Sequence, residues 1–183
     1  MRSLVSGLIF AALSISAQQL PKPVSEGAAT IARIPEAVSD RLRFVAPLGD
    51  FDVSAIDGRH WRLADLKGRV TVISIWATTC GPCLREHPEI QRSYEKWRGS
   101  DRIQVLTFSV DSAPGAVRAY MLQKKYTFPV IVNEALSERL FSNIGIPQTW
   151  VVDRQGFRSE PFTTWSLGRI FMEAERLAFS KPN

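Results

Sequence analysis

Val70-Thr71-Val72-Ile73-Ser74-Ile75-Trp76-Ala77-Thr78-Thr79-Cys80-Gly81-Pro82-Cys83 is the stretch that decides the fold. Its first half is an apolar, β-branched run of strand length and reads as a buried strand. Residues 84–97 carry a helical pattern. Two cysteines two residues apart, between a strand and a helix, form a dithiol that closes into a disulfide with little backbone movement. The helix start favours the thiolate of the first cysteine, because its amide donors are unpaired and its dipole is positive there. Cys80 is therefore the expected attacking thiol, the more exposed of the two. Cys83, one turn in, is the expected resolving thiol, which attacks the mixed disulfide from a buried position. Pro82 constrains the turn between them.

Outward from this segment the chain keeps alternating element types. On the N-terminal side, residues 51–55 and 59–63 alternate around Asp57-Gly58, which predicts a hairpin, and residues 64–68 form one helical turn closed by glycine. A short apolar piece, 44–48, precedes them. On the C-terminal side the pattern predicts strands at 102–110 and 128–132. Helices are expected at 116–125 and 136–141, a hairpin from 148–153 and 156–161, and a closing helix over 169–178. That helix has its apolar side at Ile170, Phe171, Ala174, Leu177 and Ala178. Pro88 inside the helix of 84–97 removes the hydrogen bond to Leu84 and predicts a kink. This alternation of strands and helices implies a mixed sheet with helices on both faces.

At 183 residues, 45% hydrophobic, with five Trp and ten Phe, the chain suits one domain with a sizeable core. The net charge of +5 is mild and its arginines are dispersed; a nucleic-acid surface would need a basic run. Both cysteines are spent on one motif, so there is no disulfide framework. Two histidines far apart in sequence do not complete a closed zinc site, and nothing calls for a cofactor. Met1-Arg2-Ser3, an apolar stretch over 4–15, small residues at Ser14, Ser16 and Ala17, and then Gln18-Gln19 form a secretory leader pattern, cut near Ala17. An uncleaved anchor is the alternative, disfavoured because the apolar part is shorter than the roughly 20 residues of a bilayer span. The expected division is a leader at 1–17, a Pro- and charge-rich flexible lead-in at 18–43, and the folded domain at 44–183. A leader implies an oxidising compartment, where a reducing thiol pair needs an external electron feed.

The segment from Trp76 through Cys80-Gly81-Pro82-Cys83-Leu84-Arg85-Glu86-His87-Pro88 resembles the active-site segment of the thioredoxin superfamily. It is most similar to the exported TlpA- and ResA-like thiol-disulfide oxidoreductases. Asp57-Gly58 with residues 63–68 resembles that branch's hairpin and lead-in. Gly145-Ile146-Pro147-Gln148-Thr149 with Asp153 resembles its cis-proline strand and hairpin, and Phe128-Pro129-Val130 also matches. The resemblance implies a thioredoxin-like α/β fold: a central mixed sheet with helices on both faces and an N-terminal β-hairpin. It implies a periplasmic or secreted protein, monomeric or tethered, that reduces disulfides in partner proteins. That branch's tasks include supplying reduced thiols for cytochrome c maturation or copper-site assembly. The partners expected are a disulfide-containing protein, an upstream thiol donor and a transient membrane-protein partner. Two positions depart from the family. Thr79 stands where Trp is usual, and Ser74 stands where cytoplasmic thioredoxin has a buried Asp.

The expected catalytic set is Cys80, Cys83 and Glu86, the last because the resemblance places a modulating carboxylate three residues after the second cysteine. A bland surface carboxylate is the competing account of Glu86. Ile146, Pro147, Trp76, Gly81 and Pro82 form the expected partner-binding set. Within it, Pro147 in cis would hold the Ile146 backbone open to an added strand. Trp76 is also expected to pack beside the site rather than to catalyse. His87 reads as a core or rim histidine more than as a base, and His60 as a hairpin residue. Trp61, Trp97, Trp150 and Trp165 read as core or half-buried. Two other activities fit this fold: a peroxiredoxin-type thiol peroxidase, and a non-catalytic binding module using the groove beside Ile146.

Overall fold

The strand expected at Val70–Trp76 is the centre of a six-stranded sheet in the computed structural model, which describes residues 42–142, 145–162 and 166–181. The leader, nearly all of the lead-in and Trp165 lie outside the described residues. Among the described residues thirteen elements run in the order β1 (Phe44–Pro47), β2 (Asp52–Ser54), β3 (His60–Arg62), α1 (Leu63–Leu66), β4 (Val70–Trp76), α2 (Gly81–Trp97), β5 (Ile103–Ser109), α3 (Pro114–Lys124), β6 (Val130–Val132), α4 (Glu134–Phe141), β7 (Gln148–Val152), β8 (Phe157–Ser159) and α5 (Leu167–Phe179). All described residues belong to one compact unit.

The sheet order is β1-β8-β7-β4-β5-β6. β4 pairs in parallel with β5 and antiparallel with β7. Every residue of β4 is buried, as a central strand covered on both faces must be. Its side chains alternate between faces. Val70, Val72 and Trp76 join the core built with α2, α3 and α5. Ile73 and Ile75 join the opposite core, built with α4, Leu66 of α1 and the β2–β3 ribbon. That ribbon is the predicted hairpin, in register Val53↔Trp61, and it forms a sheet of its own. The apolar piece at 44–48 becomes an edge strand, β1, which only its partner β8 defines.

Helix α2 starts three residues earlier than the sequence pattern indicates, at Gly81. Proline is pre-organised for the first helical turn, so Pro82 begins the helix instead of delaying it. The helix runs through Pro88 to Trp97 and ends at Gly99, whose φ of 81° is a left-handed conformation that glycine adopts without strain. Its buried residues are Cys83, His87, Ile90, Gln91 and Trp97. At the far end of the sheet Arg154 closes α5: its Nη2 donates to the carbonyls of Leu177 (3.0 Å), Ala178 (2.5 Å) and Ser180 (3.2 Å). Trp61, Trp97 and Trp150 are all buried, and His60 sits on the ribbon, bonded to Asp52.

Candidate active site

The reactive segment begins where β4 leaves the sheet. Trp76 O accepts from Val110 N at 3.0 Å, which ties the strand end to β5, and Cys80 N donates to Ala77 O at 3.1 Å, which folds residues 77–80 into a turn. Cys80 is then the N-cap of α2, in extended conformation, with Leu84 N donating to its carbonyl at 3.1 Å. The Cys83 amide donates to Cys80 Sγ at 3.2 Å. Cys80 sulfur thus takes the place that a serine or aspartate oxygen holds in an ordinary cap. No acidic residue lies in the first turn to oppose a negative charge there.

Cys80 and Cys83 are joined as a disulfide. Cys83 is 1% exposed, whereas Cys80 is half-buried. The accessible sulfur is therefore the one that accepts a helix amide, and the expected difference in exposure between attacking and resolving cysteines is present.

Glu86 lies one turn beyond Cys83, half-buried, and its Oε2 is buried with no hydrogen-bond partner among the described residues. Burial raises its pKa above the ordinary carboxylate value. Glu89 adds to the rise, and Arg85 opposes it. A carboxyl so placed holds a proton more readily than a surface glutamate.

His87 is fully buried. Its ring stands edge-on to Trp76, centroids 4.3 Å apart, with Tyr120, Tyr126 and Phe128 around it. Burial lowers its pKa to about 4, while burial, helped by Tyr126, raises Tyr120 to about 12. Both are neutral at pH 7. Nδ1 lies 2.9 Å from the Tyr120 hydroxyl, and the two share a hydrogen bond. This is a core histidine.

The partner-binding set divides by exposure. Gly81 and Pro82 are exposed, and Ile146 and Pro147 half-buried. Trp76 has no exposed surface. Its Nε1 donates to Thr107 Oγ1 at 3.2 Å, and that hydroxyl donates to Pro129 O at 2.9 Å, so it supports the site from beneath and has nothing to offer a partner. The Ile146–Pro147 peptide is cis. Gln148 pairs with Ile75, which puts this peptide against the end of β4 that leads into the dithiol. Thr79 is exposed, and Ser74 is buried with no carboxylate in its place.

Sequence reasoning missed Asp111. It follows β5, and its carboxylate bonds Thr78 and Ser109 beside the reactive turn. The available signal was its position, just past the carboxyl end of a parallel strand, where open α/β sheets gather functional groups.

Residues 45–157, more than half of the chain, match the sequence pattern of the AhpC/TSA family. The chain belongs to that family. Relatives of the chain include thioredoxin-like protein YneN of Bacillus subtilis (strain 168), 26% identical over 110 residues, which are 58% of this chain and 64% of YneN. Thiol-disulfide oxidoreductase ResA of Bacillus anthracis is 26% identical over 123 residues, 66% of this chain and 69% of ResA. The match spans about two thirds of the relatives' own length. Among solved structures, the thioredoxin-family thiol:disulfide interchange protein of Chlorobium tepidum TLS superposes with a TM-score of 0.65 at 23% identity, covering 73% of this chain and 96% of that one. A secreted thiol-disulfide isomerase of Corynebacterium glutamicum superposes at 0.63 and 19%, covering 73% and 86%. At these identities the likeness establishes the fold, which is thioredoxin-like. With a disulfide-forming Cys80–Cys83 pair at the start of α2 and relatives of this kind, the AhpC/TSA-family chain is a thiol-disulfide oxidoreductase. Among the described residues no helix is long and apolar enough to cross a membrane.

Proposed function

We propose that the protein reduces disulfides in extracytoplasmic partner proteins. The observation that carries this reading is the asymmetry of the pair: half-buried Cys80 Sγ accepts the Cys83 amide at 3.2 Å, while Cys83 is sealed beneath it. In the reduced protein the Cys80 thiolate attacks one sulfur of a partner disulfide. A mixed disulfide forms, and the partner's other sulfur leaves as a thiolate that takes a proton. Cys83 then gives up its proton and attacks Cys80 Sγ, releasing the partner's second thiolate, which is protonated in turn. Two electrons pass to the partner, and Cys80–Cys83 is left as the disulfide. Glu86, with its raised pKa, is the group placed one turn away to take the Cys83 proton. An extended partner segment pairs with the backbone at Ile146, whose neighbour Gln148 lies against the end of β4, and meets exposed Gly81 and Pro82.

The C-G-P-C filling favours the reductase direction. The leader pattern supports export to the periplasm or beyond, with 1–17 removed, 18–43 as the lead-in and 44–183 as the working domain. An upstream thiol donor, a protein at the membrane among the candidates, must then return electrons to the pair, because that compartment does not. The enzyme acts as a monomer. A Cys83→Ala variant tests the scheme: it should accumulate partner proteins as mixed disulfides through Cys80, and their identities tell whether cytochrome c maturation or copper-site assembly is served. Reduction of insulin disulfides by wild type, lost in Cys80→Ala, is the expected activity. Consumption of peroxide without disulfide reduction would favour a peroxidase instead, and neither activity would favour a binding module.

A further inference from the structure

Thr78 is the first corner of the turn that delivers Cys80 to the helix start, and one carboxylate grips it at both its polar groups. Asp111 Oδ2 accepts from Thr78 N at 2.8 Å, and Asp111 Oδ1 accepts from Thr78 Oγ1 at 2.5 Å. Oδ2 also accepts from Ser109 Oγ at 2.7 Å, and Ser109 Oγ in turn accepts from Asp111 N at 3.1 Å. The carboxylate is thereby fixed to the end of β5, the strand paired in parallel with β4. The four residues 77–80 are thus held at one side by the Cys80 N to Ala77 O bond and at the other by this clamp.

We infer that the Asp111–Thr78 clamp is a positioning device for Cys80, working through the turn and not by contact with the reacting sulfur. In the oxidised protein the disulfide itself holds Cys80 against α2. On reduction that covalent hold is gone, and the Cys83 amide must be met by a sulfur whose backbone is still in place. The clamp supplies that placement. It therefore stabilises the reduced, thiolate form more than the disulfide form. Hydrogen bonds to ionised acceptors are the strong ones, and small misplacements of a reacting group are costly in rate.

The inference rests on Cys80 being the attacking thiol, but not on the direction of electron flow or on any partner. Its test can therefore avoid protein substrates. In reduced protein, the rate of Cys80 alkylation by iodoacetamide is followed from pH 4 to 9, and the dithiol–disulfide equilibrium is measured against glutathione. Thr78→Val removes one of the two grips, Asp111→Ala removes both, and Thr78→Ser keeps both. Asp111→Ala should raise the pH midpoint of alkylation and slow it roughly tenfold at pH 7. It should shift the glutathione equilibrium toward the disulfide. Thr78→Val should move the same readouts in the same direction by less, the double variant should match Asp111→Ala, and Thr78→Ser should match wild type. A merely structural bond would lower the melting temperature of the oxidised protein and leave the pH midpoint alone. The inference is overturned if alkylation and equilibrium stay within twofold of wild type in both Thr78→Val and Asp111→Ala. It is equally overturned if Asp111→Asn moves them while Thr78→Val does not, since the carboxylate's charge would then be the cause. Should Asp111→Ala fail to fold, the two Thr78 variants decide alone.

Discussion

Acid should loosen this fold through one residue, His87. Its ring is sealed among Trp76, Tyr120, Tyr126 and Phe128, and burial lowers its pKa from 6.5 to about 4. In the unfolded chain the imidazole returns to about 6.5. Between those two values the unfolded state binds the proton and the folded state does not, so stability must fall as the pH drops through that window. The full penalty, reached below pH 4, is about 3 kcal/mol, and at pH 5 it is about 2 kcal/mol. The assay is urea unfolding of the oxidised protein at pH 7.5 and pH 5, for wild type and His87→Phe. An apolar ring keeps the packing and removes the titration. The stranded Tyr120 hydroxyl is a constant offset at both pH values and cancels. Glu86 works in the opposite sense, since its raised pKa makes it more favourable in acid, but it is present in both proteins and also cancels. Wild type should lose about 2 kcal/mol more than the variant between the two pH values. A difference near zero, or a wild type stabilised by acid, would refute the account of His87 as a neutral core residue.

Three further outcomes follow from the same geometry. Glu86→Gln should be more stable than wild type at pH 8 and lose that advantage at pH 4, measured by thermal melting, because a raised folded pKa costs stability once the carboxyl ionises. In the reduced variant the Cys83 thiol should also titrate differently; unchanged thiol titration would remove Glu86 from the exchange chemistry. Gln91→Ala should cost roughly 3 kcal/mol in urea unfolding, because buried Gln91 Oε1 is the acceptor for Thr127 N (2.8 Å) and Phe128 N (3.3 Å). Arg154→Ala should cost about 1 kcal/mol and speed amide hydrogen exchange in the last turn of α5, whose carbonyls it gathers, with little effect on exchange in β4.

The elements that the sequence made legible are those with local causes. A seven-residue apolar run marks β4, Asp57-Gly58 marks the ribbon, and the spacing of Ile170, Phe171, Ala174 and Ala178 marks α5. The dithiol was legible too, since C-x-x-C between a strand and a helix needs no distant partner to be recognised. By itself the sequence determined the chemistry and the class of fold. Tertiary structure decided everything that depends on residues meeting across the sheet. Edge strand β1 exists only because β8 runs beside it, and four residues carry no periodicity of their own. Trp76 lost its place in the partner surface because its neighbours bury it completely. His87 became a neutral core residue because four aromatic rings from three other segments enclose it. The grip of Asp111 on Thr78 spans thirty-three positions of sequence. Local propensity cannot report such a contact, because the hydrogen bond depends on the parallel register of β4 and β5.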